Sequence, residues 1–261
     1  MNAMSESLLA VDEPAPVTLY NGGAGAASPF LLVADHAGNL IPRALGGLGI
    51  SAAERARHIG WDIGIAGVGR RLADALGAPL IQQNYSRLVI DCNRPPGVPA
   101  SIPAISELTE IPGNIGLSEA AKAARAREIF WPYHARIEGG LDRRRQAGRP
   151  TVLIALHSFT PVFMGVARLW HAALLYNRDP RLARRLLALL EDEKGLTVGD
   201  NAPYFVSDQT DYTIPVHGER RGLLHALIEI RQDLIADENG LGQWAERLAR
   251  LLPQACRDLQ A

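Results

Sequence analysis

Short apolar runs alternate with amphipathic stretches along almost the whole chain. Runs at 30–34 (FLLVA), 78–82 and 88–90 have the length and β-branched content of strands, and so do 151–159 (TVLIALHSF), 172–176, 197–198 and 223–231. The run at 151–159 is apolar at consecutive positions rather than alternating, the pattern of a strand covered on both faces, as in parallel or mixed sheets. Between the strands, helical periodicity begins at Ser51, an N-cap residue, and again near Asp62. It returns from Ser118 to about residue 145, where Pro132 should kink or split the helix, and at 180–194 and 241–258. Strand and helix alternate without an internal boundary. The expectation is therefore a single α/β domain at 17–261, a mixed, mostly parallel sheet with helices on both faces, behind a flexible leader at 1–16.

Composition adds exclusions. Lysine plus arginine number 27 against 28 acids, for a net charge of -1, and the basic residues are spread rather than clustered. No electrostatic footprint for nucleic acid or a membrane surface results. No apolar run approaches the ~18 residues that span a bilayer, and the N-terminus lacks a basic region before an apolar stretch. The two cysteines, Cys92 and Cys256, have neither metal-ligand spacing nor the density of a disulfide scaffold, so a reducing cytoplasm fits best. The order of assembly is left open.

Candidate chemistry collects where strands end, which is where ligands sit in open α/β sheets. The 30–34 strand runs into Asp35-His36, the 88–90 run into Asp91-Cys92-Asn93-Arg94, the 151–159 strand carries His157-Ser158, and the 223–231 strand carries Glu229 and ends in Arg231. Glu229 is the least ordinary of these, because a carboxylate inside an apolar strand faces either a core it enters at high cost or a site that uses it. Two imidazoles and one oxygen ligand leave a position open on zinc, as catalytic sites require. His36 and His157 supply the nitrogens. Asn39 stands three residues after His36, so no H-x-x-E pair exists; Asp62 is the substitute ligand, with Asp35 the runner-up. There is no G-x-S-x-G elbow, H-E-x-x-H helix or P-loop, and NGGAGAAS (21–28) reads as a turn. Ser158 reads as a hydroxyl supporting the site rather than a nucleophile, Cys92 as a small buried residue beside it, and His58, His134 and His225 as packed or surface residues; Tyr212 and His217 belong to a loop that could cover a substrate.

Six stretches, VADHAGNLIP (33–42), HIGWDIG (58–64), SRLVIDCNRP (86–95), ALHSFTP (155–161), VGDNAPY (198–204) and IEIRQDLI (228–235), occur in an order that resembles the N-formylglutamate amidohydrolase family, whose fold is similar to that of zinc carboxypeptidases. The resemblance implies a phosphorylase/hydrolase-like, zinc-peptidase-like fold. It implies a divalent metal, zinc, on His36 and His157, substrate-carboxylate contacts from Asn93 and Arg94, and a general base at Glu229. In the expected reaction, water deprotonated by Glu229 attacks an amide, Arg87 aids the oxyanion, and Arg231 stands near a small anionic substrate. That substrate is a small-molecule N-acyl amino acid, with N-formylglutamate the leading candidate. Another zinc deacylase, a peptidoglycan-type amidase, or a non-catalytic descendant are the alternatives.

Overall fold

A computed structural model describes residues 7–23 and 28–260. Seven strands form its main sheet: β1 (Val17–Tyr20), β2 (Phe30–Ala34), β3 (Leu80–Gln83), β4 (Val152–Phe159), β5 (Ala172–Leu175), β6 (Val198–Asp200) and β7 (Leu224–Arg231). Their spatial order is β1-β3-β2-β4-β7-β5-β6. The central strands β3, β2, β4 and β7 run parallel, while β1 pairs antiparallel with β3, and β5 antiparallel with β7. The sheet is thus mixed and mostly parallel, as the continuous apolar runs require. All eight residues of β4 are buried.

The described residues also hold six α-helices: α1 (Ala52–Ala56), α2 (Ile65–Leu76), α3 (Glu119–Arg125), α4 (Trp131–Gln146), α5 (Arg181–Glu191) and α6 (Glu238–Asp258). One core packs Leu32, Ile154 and Ile228 against α2, α5 and α6. The other packs Leu31, Leu153 and Leu227 under Phe130, Tyr133 and Ile137. This alternation decides where the site lies. Side chains two apart on a strand share a face, so His157 follows Leu153 and Ala155, and Glu229 follows Leu227, onto the second face. The register pairs Glu229 directly with His157.

Local signals explain most element ends. The hydroxyls of Ser51 and Ser118 accept from the backbone N–H of Glu54 and Ala121 and start α1 and α3. The long helical stretch is divided just before Pro132: α3 passes into a π-turn at Ala126–Phe130, and Pro132 sits in the first turn of α4, where a missing N–H costs least. The helix near Asp62 begins at Ile65 behind Gly64, whose φ of +82° and whose absent Cβ, which would lie 2.3 Å from the Ile235 carbonyl oxygen, both require glycine. Of the expected leader, residues 1–6 lie outside the described residues; farther along, Leu8 is buried and Glu128 accepts from the Leu9 N–H. Of the expected turn at 21–28, residues 24–27 lie outside them.

The apolar run at 88–90 is a correction. It is not a strand but a turn, closed by the Val89 N–H on the Ser86 carbonyl, and its three side chains are buried all the same. The reason lies in its carbonyls: Asn114 donates to that of Leu88, and Arg125 to that of Val89, in place of a neighbouring strand. The fully buried Arg125 also donates to Asn114 Oδ1 and the Gly113 carbonyl. Arg125→Ala leaves these acceptors buried and unpaired and is expected to lower stability by about 3 kcal/mol. A guanidinium unfolding midpoint unchanged from wild type would contradict that role.

Candidate active site

Three loops and two strands deliver one cluster. His36 lies two residues past β2, Asp62 stands before α2, Asp91 follows the turn at 88–90, and His157 and Glu229 are paired on β4 and β7. The loop holding His36 is pressed against the 84–86 segment: Leu40 donates to the Asn84 carbonyl, and a Cβ on Gly38 would stand 2.1 Å from that same oxygen. Asp62 is placed by its backbone N–H on the His36 carbonyl, at 2.9 Å.

The imidazoles of His36 and His157 meet edge to face with centroids 5.0 Å apart. His157 Nδ1 lies 2.9 Å from Asp62 Oδ2, and His36 Nδ1 lies 3.4 Å from the same oxygen without a hydrogen-bond partner. The opposite nitrogens are each held by another carboxylate. His36 Nε2 lies 2.7 Å from Asp91 Oδ1, and His157 Nε2 lies 3.1 Å from Asp35 Oδ2. Those carboxylates are anchored in turn: Thr213 donates to Asp35, the Asn93 backbone N–H to Asp91, and Arg87 to Asp91 at 2.7 Å while standing 3.5 Å from Asp62.

Burial and charge pull against each other here. Burial opposes ionisation of Asp35, but the His157 hydrogen bond and the nearby imidazoles bring it down to about 2. Asp62 and Asp91 are likewise lowered against burial, by His36 and by Arg87 respectively. Burial also opposes protonation of His157, and its bonds to Asp35 and Asp62 overcome that and raise it well above the usual imidazole value. Glu229 differs. Its Oε2 has no hydrogen-bond partner, and burial pushes its carboxyl up to about 7.

His36, Asp62 and His157 fit a divalent cation. Their ligand atoms lie within 4.8 Å of one another. The His36 Nδ1 is orphaned, and both imidazoles have carboxylates behind them, the arrangement that orients metal-binding histidines. The charges agree as well. Three aspartates and one guanidinium leave two negative charges, which two imidazolium protons balance, or one divalent ion on neutral imidazoles.

A cavity of about 730 Å3 opens over this cluster. Of the residues expected from sequence, it brings together His36, Asp62, Arg87, Asn93, Arg94, His157 and Glu229. It does not include Arg231, whose guanidinium holds Asp233 and the carbonyls of Arg168 and Trp170. Asn93 is at the cavity, but its amide is engaged: the oxygen accepts from the Tyr212 and Thr213 N–H groups and the nitrogen donates to Asp211. It is a strap for the 207–213 loop. Arg94 donates to the Thr210 carbonyl and lies 3.5 Å from Asp211. Asp35, weighed as a ligand, stands behind His157, and Ser158 donates to the Ile63 carbonyl. His134 and His217 stack on each other, buried away from the cavity, and Cys92 is a buried thiol pushed well up by burial. Sequence reasoning missed the roles of Asp91, Asp211 and Thr213. Asp91 carried a signal, as an acid ending an apolar run; the other two lie on a loop whose reach only the fold defines.

Among the described residues no helix is long and apolar enough to cross a membrane. The family model described as N-formylglutamate amidohydrolase matches residues 28–236. A crystallised gene product of Agrobacterium tumefaciens is 38% identical, with a TM-score of 0.93 over 97% of this chain and 100% of its own. A crystallised N-formylglutamate amidohydrolase from Ralstonia eutropha JMP134 shares the fold at 22% identity, with a TM-score of 0.68 over 94% of this chain and 98% of its own. No curated protein sequence matches.

Proposed function

The chain belongs to the N-formylglutamate amidohydrolase family, and from that premise we propose that it hydrolyses the N-acyl amide of a small carboxylate-bearing amino acid with a divalent metal, zinc by preference, on His36, Asp62 and His157. The observation that carries this reading is the convergence of two imidazole Nδ1 atoms, one carboxylate and an unpartnered buried glutamate at the floor of a single cavity. When bound there, the ion supplies Lewis-acid polarisation of the amide carbonyl and makes water a better nucleophile at neutral pH.

The remaining steps belong to the protein. Glu229 takes a proton from the attacking water at Oε2 and passes it to the leaving amine nitrogen as the C–N bond breaks. Arg87 faces the same cavity, is always charged, and is held by Asp91 so that it can stabilise the developing oxyanion without reorganising. Arg94 takes the substrate's α-carboxylate, for which its planar fork of donors is matched. N-Formylglutamate is the first compound to assay. Both cysteines are free thiols, which suits the reducing cytoplasm expected above.

Arg94→Ala is expected to raise KM about tenfold or more with a smaller change in kcat, since the contact is made equally in the ground and transition states. A fall in kcat at unchanged KM would assign Arg94 elsewhere. The function itself is tested by a screen of N-formyl and N-acyl amino acids for release of the free amine. The expected result is turnover that a chelator abolishes and zinc restores. Amide hydrolysis untouched by chelation would reject the metal, and no hydrolysis of any member would reject the substrate class.

A further inference from the structure

Most acids that line the cavity are matched by a cation, while one buried cation beside it has no acid. Arg87 serves Asp91 and stands near Asp62, and Arg94 lies 3.5 Å from Asp211. Glu107 pairs with Arg57 at 2.5 Å, with His58 Nε2 3.3 Å away. Arg168 is left over. It is 8% exposed, its Nη1 is buried without a hydrogen-bond partner, and among the described residues no acid pairs with it. Idle donors on a buried charge are costly, so they call for a partner. Arg125, equally buried, spends its donors on Asn114 and on two backbone carbonyls.

Position supplies the second observation. The Arg168 guanidinium lies on the rings of Phe163 and Tyr204, 4.6 and 4.7 Å from their centroids, and both of those residues line the cavity. The Tyr204 hydroxyl is raised by burial and by the charge of Glu229 and lowered by that of Arg168. One side chain therefore neighbours both the proposed base and the idle guanidinium. The segment that carries Arg168 is fixed, because its N–H donates to the Pro161 carbonyl and its own carbonyl accepts from Arg231 Nη1 at 3.2 Å. Ring contacts hold the guanidinium without spending its N–H donors, whose planar fork is matched to a carboxylate.

We propose that Arg168 is a specificity-determining residue that binds the side-chain carboxylate of the substrate, while Arg94 holds the α-carboxylate. This rests on the amide-hydrolase reading above and adds to it the group that separates an acidic side chain from its neutral isostere. Phe163 and Tyr204 are 37% and 38% exposed, so neither ring is locked by packing, and a turn of either opens the Nη1 edge to the cavity. The carboxylate gives the buried donor the partner it lacks. A neutral amide in the same place brings no charge to match the guanidinium.

The test compares N-formyl-L-glutamate with N-formyl-L-glutamine, which differ in charge and hardly in shape. Zinc-loaded protein is assayed for kcat/KM, and zinc-loaded Glu229→Gln, with and without Arg168→Met, for Kd by calorimetry. The expected result is a preference for the glutamate compound of about fiftyfold in both measures. Arg168→Met keeps an unbranched chain against the rings and loses the charge, so it should abolish that preference. Arg168→Lys, which returns the charge, should restore part of it. A wild type that treats the two compounds alike would overturn the proposal without any variant. So would an Arg168→Met protein that keeps the wild-type ratio, or one that loses both compounds equally, as a purely structural residue would. Because Kd is read in Glu229→Gln, absence of turnover with both compounds would strike the hydrolase reading and leave the role of Arg168 decided by calorimetry.

Discussion

Glu229→Gln lowers kcat about a thousandfold or more at unchanged metal content, within the ~10²–10⁴ range of a lost general base. The substitution is nearly isosteric, and Oε2 makes no hydrogen bond that the amide could lose. Glu229 is absent from the ligand group formed by His36, Asp62 and His157, so zinc per chain by atomic emission stays as in wild type. Stability separates this role from a structural one. The carboxyl is raised to about 7 by burial in the metal-free protein, against an unfolded value near 4.5. Between those values the unfolded chain releases its proton first, so rising pH favours unfolding, and the penalty is complete only above about pH 7. Glutamine removes it. The metal-free variant should therefore melt at a higher temperature than metal-free wild type at pH 8, with the difference gone at pH 4.5. A variant that is active, or one that is inactive only because it has unfolded, would sink the base assignment.

Asp62→Ala is expected to do more harm than any other single change in the cluster. Asp62 Oδ2 stands near both imidazole Nδ1 atoms and accepts from the Ser158 N–H, while Oδ1 faces Arg87. Its loss removes the oxygen ligand of the proposed metal site and leaves two imidazoles and a guanidinium under-compensated in a buried space, where breaking one side of a charge cluster costs about 3–5 kcal/mol. Activity should fall to the level of the chelated wild type, with no recovery on adding zinc. Asp35→Asn and Asp91→Asn should be milder, at about 10–100-fold in metal affinity, because those carboxylates act through the far nitrogens of the imidazoles. A ranking in which Asp35→Asn exceeds Asp62→Ala would place the ligand set one residue away from where it is drawn here.

Much of this was legible in the chain because the determining signals are local. FLLVA, TVLIALHSF and the 223–231 run became β2, β4 and β7, since a central strand must be apolar on both faces. The exceptions inside those runs, His157 and Glu229, were conspicuous for that reason. Asp62 could be named because Asn39 leaves His36 without an acid three residues on, and HIGWD puts one at the start of the next helical stretch. The misreading of 88–90 shows the limit of periodicity. Apolar burial is shared by strands and tight turns, and what separates them here is Arg125 and Asn114, more than twenty residues away, serving the carbonyls. Asn93, Arg94 and Arg231 could be placed at the ends of apolar runs, yet whether a polar side chain faces a ligand or a loop depends on what arrives from elsewhere. Asn93 meets the 212–213 backbone, and Arg231 meets Asp233.

The account stands on the position of one ion. Anomalous diffraction above and below the zinc edge, from crystals of protein shown to hydrolyse an N-formyl amide, tests it directly. The expected result is a single peak about 2.0–2.2 Å from His36 Nδ1, His157 Nδ1 and an Asp62 oxygen. An active protein with no peak there, or with its ion on other residues, would contradict the account.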